Sequence, residues 1–334
     1  MRTVRVLLVA LPLLLGCHDV TEYTESGEFG AVILDASNLS VVGYVAGMEG
    51  ARTLAPLSGS LFLVGSADGR LYEVDSQRLE VVRQHRIGGG SSSSVKRMLS
   101  SPSASTIYML TGMGKALEVD DTDFLVLDEF SVGVSPSDAC RSPSQRPRIY
   151  VSDRDAALVR EVYTSNNSQG TLYDVAESPV ALAPYPDDPD AVVTAHEGEG
   201  GVNLLYLATG VTTEVVPGSM GPFSDVAVAS RDTTACAAAP NWNGEDGRLA
   251  LVLPGGIQPE VVGVSVTGHP TCVCSNPDPS RPYFYAASSS GSNTVVSAVN
   301  YLDRTLEMTV TVEGYPWDIM THRSGEYVIV LTSI

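Results

Sequence analysis

One pattern recurs seven times along the chain and constrains the fold more than any other feature. Its starts are Ala51-Arg52-Thr53, Lys96-Arg97-Met98, Pro136-Ser137-Asp138, Pro179-Val180-Ala181, Phe223-Ser224-Asp225, Pro270-Thr271-Cys272 and Pro316-Trp317-Asp318, at intervals of 45, 40, 43, 44, 47 and 46 residues. Each interval holds four short β-like runs separated by Gly, Ser, Asn and Asp, the residues that supply turns. In the first they are Thr53 to Pro56, Leu61 to Gly65, Arg70 to Asp75 and Glu80 to Ile87; in the second, Met98 to Ser100, Thr106 to Thr111, Lys115 to Asp120 and Leu125 to Val132. Four strands in about 40–45 residues is the period of a β-propeller blade. The second strands are near-continuous apolar runs, such as Leu61-Phe62-Leu63-Val64 and Tyr327-Val328-Ile329-Val330-Leu331, as expected of strands buried on both faces. The third and fourth strands mix in polar residues, as strands partly facing water should.

The ends of the sequence complete the count. After Pro316 there is room for only two strands, Trp317 to Met320 and Tyr327 to Thr332. Two more, Ala31 to Asp35 and Leu39 to Val45, precede the first repeat. Joined, they make a seventh blade and leave no open sheet edge along the ring. The expected fold is all-β: a single seven-bladed β-propeller over residues 30–334, four antiparallel strands per blade, the last blade closed by the two N-terminal strands.

The first residues read as an address. Arg2 and Arg5 precede an apolar run from Val6 to Leu15, interrupted only by Pro12. Ten residues cannot span a bilayer, which needs roughly 20, so the run reads as the core of a signal peptide. It ends in Leu14-Leu15-Gly16-Cys17, which resembles the lipobox of bacterial lipoproteins. That resemblance implies cleavage after residue 16, acylation of Cys17, and residues 17–29 as a solvated tether. The mature chain would have 318 residues and a net charge of -21, against -19 for the whole sequence. It also implies a lipid-anchored protein of the bacterial cell envelope, with His18 rather than Asp after the cysteine favouring the outer membrane over the inner.

Phrases such as Ala31-Val32-Ile33-Leu34-Asp35 and Leu71-Tyr72-Glu73-Val74-Asp75, each turning into a Val-rich second strand, resemble YVTN-type and NHL-like propeller repeats. Such propellers host many unrelated activities, so the resemblance implies a fold and leaves function to the residues. With 39 acidic and 20 basic side chains, the chain lacks the basic footprint of a nucleic-acid or anionic-membrane binder.

No catalytic constellation stands out. Asp35, Asp75 and Asp120, with Asn300 in the matching place, recur where an Asx side chain caps its own turn. Asp138, Asp225 and Asp318 recur on the innermost strands. They are candidate ligands for a cation or polar group at the channel mouth, with hydrogen bonding to a neighbouring blade's backbone as the other reading. Asn241 to Gly247 alternates oxygen donors but places no glycine at the sixth position of a calcium loop, so calcium is a weak candidate and no cofactor is expected. The five histidines form no HxH or HExxH spacing, and His196 falls in a Gly-rich loop expected to be solvated. His269-Pro270 resembles a His-Pro pair of some lactonase propellers, but Ser135, Ser178 and Tyr315 hold the matching places. No G-x-S-x-G is present. In an oxidising compartment Cys236 is placed to pair with Cys274 or Cys272 on the next blade, leaving Cys140 unpaired.

The leading expectation is a non-enzymatic, monomeric binding or scaffold module for a protein, peptide or glycan. The alternative is a metal-dependent envelope hydrolase or lactonase using Asp138, Asp225 or Asp318 at the channel mouth.

Overall fold

The computed structural model describes residues 28–87, 94–100, 105–144, 146–185, 188, 190–229, 235–242, 245–253 and 259–333, without the side chains of 235, 236, 242, 245 and 246. Among the described residues are 28 strands in seven four-stranded antiparallel sheets arranged as propeller blades. The innermost strands of blades 1 to 6 are β3 (Ala51–Pro56), β7 (Val95–Ser100), β11 (Pro136–Arg141), β15 (Pro179–Pro184), β19 (Asp225–Val228) and β23 (His269–Ser275). Blade 7 is composite. Its inner half is β27 (Tyr315–Thr321) and β28 (Tyr327–Ser333); its outer half is β1 (Phe29–Asp35) and β2 (Val41–Ala46), in the order β2-β1-β28-β27. The ring is therefore closed by the N-terminal strands, with β1 pairing along β28 from Phe29↔Ser333 to Asp35↔Tyr327. The strand β1 begins at Phe29, whose buried ring lies 6.5 Å from Trp317.

Burial follows place in the blade. The second strands β4 (Leu61–Ser66) and β8 (Thr106–Thr111) lie between neighbouring blades and are almost wholly buried. The outermost strand β6 (Glu80–Arg86) alternates exposed and half-buried positions. Apolar clusters fill the clefts between blades. One spans blades 7 and 1 through Ile33, Leu331, Phe62 and Val64; another spans blades 6 and 7 through Tyr285, Val296, Leu34 and Val330.

Four of the turns between third and fourth strands share one device. Asp35, Asp75, Asp120 and Asn300 each accept the backbone N–H two residues on, at 2.7, 2.8, 2.8 and 3.0 Å, as the Asx reading expected. Four residues after each, Leu39, Leu79, Phe124 and Arg304 adopt positive φ near +60°. For a non-glycine residue that conformation costs about 1–2 kcal/mol. Leu39 and Phe124 are fully buried, and burying a large apolar side chain contributes about 1.5–3 kcal/mol, enough to offset it.

Candidate functional site: the axial channel

Seven inner strands surround the axis. In blades 1, 2, 3, 4, 6 and 7 the ladder between the first and second strands slips by one residue, between Ala51 and Thr53, Val95 and Arg97, Pro136 and Asp138, Pro179 and Ala181, Pro270 and Cys272, and Pro316 and Asp318. The residue after each slip belongs to a ring at one level of the channel: Thr53, Arg97, Asp138, Ala181, Cys272 and Asp318, with Asp225 at the matching place in blade 5. Blade 2 corrects the sequence register. Its repeat starts at Val95, not Lys96, so Arg97 rather than Met98 is the ring residue.

The three aspartates hold the ring together. Asp138, Asp225 and Asp318 are each more than nine-tenths buried, at 4%, 7% and 5% exposure, where acidic side chains are rare unless paired. Each accepts a backbone N–H from the inner strand of the following blade: Leu182 on Asp138 Oδ2 at 2.7 Å, Val273 on Asp225 Oδ2 at 2.8 Å, and Leu54 on Asp318 Oδ2 at 2.7 Å. Two use the other oxygen locally, accepting Val226 N–H on Asp225 Oδ1 and Ile319 N–H on Asp318 Oδ1, both at 2.8 Å. An inner strand leaves one edge of its backbone facing the channel, and unpaired buried amides are costly. These carboxylates satisfy that edge and staple blade 3 to 4, 5 to 6 and 7 to 1. Of the two readings of these residues, the geometry displays the inter-blade one.

Arg97 crosses the channel at the same level. Its Nε lies 2.8 Å from Asp138 Oδ1 and its Nη1 3.5 Å from Asp318 Oδ1, joining blade 2 to blades 3 and 7. Asp138 and its other carboxylate neighbours hold Arg97 firmly protonated. Burial raises Asp318 and pushes Asp225 up to about 7. Arg97 opposes that rise, and the neighbouring aspartates reinforce it at Asp225. Among the described residues, no group of three or more His, Cys, Asp and Glu side chains is placed to hold a metal ion.

The ring divides the channel. On one side lies a narrow vestibule of about 150 Å³, lined by Arg52, Lys96, Trp317 and the small residues of the slipped positions. There the Arg52 guanidinium carbon sits 3.4 Å from the centroid of Trp317, a cation–π contact. On the other side is a chamber of about 770 Å³, lined by the ends of all seven inner strands. Its walls carry Pro56, Pro184, Val228, Met320 and, at the rim, Ser100, Ser142, Ser275, Thr321, Arg141 and Arg323. Arg141 Nη2 donates to Ser100 Oγ at 2.5 Å, and Arg323 Nη2 donates to the same oxygen at 3.3 Å. Burial, and then the charge of Arg323, lower the Arg141 pKa.

Other expected residues lie elsewhere. His196 is a correction: it is not solvated but fully buried at the end of β16 (Ala191–His196). Its Nδ1 donates to the Glu177 carbonyl at 3.1 Å, and its Nε2 accepts from Thr194 Oγ1 at 2.8 Å. The glycines that suggested a loop have a packing role, since a Cβ on Gly200 would come 2.5 Å from His196 Cβ. Burial lowers the His196 pKa, leaving the ring neutral. His269 is exposed at the start of β23, with Nδ1 3.2 Å from the Pro240 carbonyl. The thiols of Cys140, Cys272 and Cys274 are free, and burial pushes all three well up, away from nucleophilic thiolate. In the Asn241 to Gly247 segment two strands meet as a hairpin, with Asn241 paired to Asp246 and Trp242 to Glu245. Residues 243 and 244, the side chains of 236, 242, 245 and 246, Cys17 and the whole leader lie outside the described residues.

No protein-family description matches this sequence, and no curated protein matches it. Solved structures do. The WD40 repeats of RRP9 superpose with a TM-score of 0.68 at 12% identity, over 91% of this chain and 98% of that one. The structure of U3-55K superposes with a TM-score of 0.66 at 12% identity, over 90% and 98%. The likeness is one of fold. It supports the seven-bladed β-propeller architecture, and function has to be read from the channel itself.

Proposed function

We propose that this protein is a binding module, a rigid propeller displayed at the bacterial envelope on a lipid anchor at Cys17, whose wide chamber engages a protein, peptide or glycan. One observation carries the reading: each of the channel's three aspartates binds a backbone amide of the next blade, while the chamber rim presents arginines and hydroxyls beside apolar walls. A general base or nucleophile needs a free, accessible group of suitable pKa. In the chamber Asp318 is engaged by two backbone amides and burial pushes the Cys140 and Cys274 thiols up, away from thiolate, while the volume of about 770 Å³ falls within the range of about 300–1,000 Å³ typical of ligand pockets. The Leu14-Leu15-Gly16-Cys17 segment supports the anchor, and the acidic surface argues against nucleic acid as partner.

Two experiments test the reading. Cys17→Ala should release the protein from membranes and abolish fatty-acid labelling; labelling that survives would remove the anchor from the proposal. A photo-crosslinker at Ser275 on the chamber rim should form a discrete adduct in cells, one that the same probe at exposed Leu127 on an outer strand does not form. Adducts equal at both positions, or turnover of a substrate by the purified protein, would overturn the binding-module reading.

A further inference from the structure

In a chain with about twice as many acids as bases, basic side chains should find carboxylates, and most do. Among the described residues eleven lysines and arginines make ion pairs with Asp or Glu. Arg52, Lys96, Arg141, Arg323 and the exposed Arg86 make no ion pair with a carboxylate among the described residues, and the first four of them line the axial channel. In the vestibule Arg52 is occupied by stacking on Trp317. In the chamber the situation differs. Arg141 comes from the end of β11 and Arg323 from the connection between β27 and β28, and both point a guanidinium nitrogen at one hydroxyl, Ser100 Oγ.

Two like charges meeting on one neutral oxygen repel, and nothing negative among the described residues compensates them. A hydroxyl accepts two hydrogen bonds and donates one. With both acceptor sites of Ser100 taken by the arginines, its O–H is left to donate. The remaining guanidinium N–H groups and that O–H form a donor-only cradle at the chamber rim. Guanidinium forks match the two oxygens of a carboxylate or phosphate. A site lined by one sign of charge within low-dielectric walls also concentrates ions of the opposite sign.

We infer that Arg141, Arg323 and Ser100 form an oxyanion site, which receives a carboxylate or phosphate group on the ligand that enters the wide chamber. This rests on the binding-module reading and names the chemistry that chamber selects. The apolar walls from Pro56, Pro184, Val228 and Met320 suit the body of the molecule that carries the anion.

Direct titration tests it on the full folded chain, with inorganic phosphate, succinate and a glutamate-containing hexapeptide as probes, at ionic strength held constant with chloride. Expected are saturable binding in the micromolar to millimolar range and amide shifts at Ser100 and Arg141. Losing a hydrogen bond to a charged group should weaken affinity by about tenfold or more in Arg141→Gln and again in Arg323→Gln. Both variants should melt like the parent without ligand, and Arg86→Gln, an exposed cation at the end of β6, should bind like the parent. Tighter binding of the hexapeptide than of succinate assigns an acidic protein segment as the source of the anion; the reverse assigns a free small molecule. Absence of saturable binding by all three probes, or unchanged affinity in both arginine variants, overturns the site. Turnover with oxyanion binding intact would overturn the binding-module reading alone.

Discussion

The ring and the chamber share the same inner strands, with Ser100 three residues beyond Arg97 and Arg141 three beyond Asp138, yet they spend their charges in opposite ways. In the ring every carboxylate is buried, faces the backbone of the next blade and has taken up one or two amides. In the chamber the guanidiniums of Arg141 and Arg323 touch only a hydroxyl and each other's field. Buried charge satisfied by hydrogen bonds is structural, and removing one partner is expensive. Half-exposed charge without a counter-ion adds little to stability and is free to meet a ligand. The contrast teaches that position in a propeller channel does not by itself decide a residue's role; what the side chain has already bonded does.

The largest effect expected of a single substitution breaks the ring. Asp318→Ala strands the Leu54 and Ile319 amides and leaves Arg97 with one fewer partner. It should lower the unfolding free energy by about 3–5 kcal/mol in urea titration, the range for breaking a buried pair. A loss below about 1 kcal/mol would mean that the staple is not structural. Deleting 29–46, the outer half of blade 7, should be worse still and yield an aggregating chain, because it opens the apolar edge of β28. Cooperative melting at the parent temperature would contradict closure by these strands.

Asp225 gives a pH test of the same ring. Its carboxyl titrates near 7 when folded and near 3.8 in an ordinary environment. The folded state therefore holds the proton more tightly, and the contribution of Asp225 to stability is fully present below about 4 and is lost as pH rises to about 7. The groups facing it are Arg97, Asp138 and Asp318. Asp225→Asn keeps an acceptor for Val273 N–H and should flatten that fall. An identical pH profile in the variant would place the titration elsewhere.

The smallest stability effect belongs to the chamber. Arg141→Gln and Arg323→Gln should each change the unfolding free energy by within about 0.5 kcal/mol, as for substitutions away from packed cores. Removing one of two repelling charges makes a slight gain at low salt the expected sign.

Much of this contrast was beyond the reach of sequence reading, for reasons particular residues make plain. The seven-blade count was legible because each blade repeats a local pattern and because two strands at each end add up to one sheet. The Asx turns at Asp35, Asp75 and Asp120 were legible because their partners lie two residues away. The aspartates of the ring were visible as a recurrence, but their hydrogen bonds run to residues 44 to 264 positions away. Arg97 was missed because Val95 and Lys96 were set one place out of step, and a one-residue slip changes which side chain faces the axis. Arg141, Arg323 and Ser100 come from three different blades and share no local signal. His196 misled because its glycines, which resemble a loop, make room for its ring.

The most direct test is to read two quantities on two variants. For the parent, Asp318→Ala and Arg141→Gln, melting temperature is measured with and without saturating phosphate. The ring-and-chamber account predicts that Asp318→Ala melts well below the parent but keeps the phosphate-induced rise, while Arg141→Gln melts like the parent and loses that rise. If Arg141→Gln instead melted as low as Asp318→Ala and kept its response to phosphate, the chamber arginines would be structural and the division of labour along the channel would be wrong.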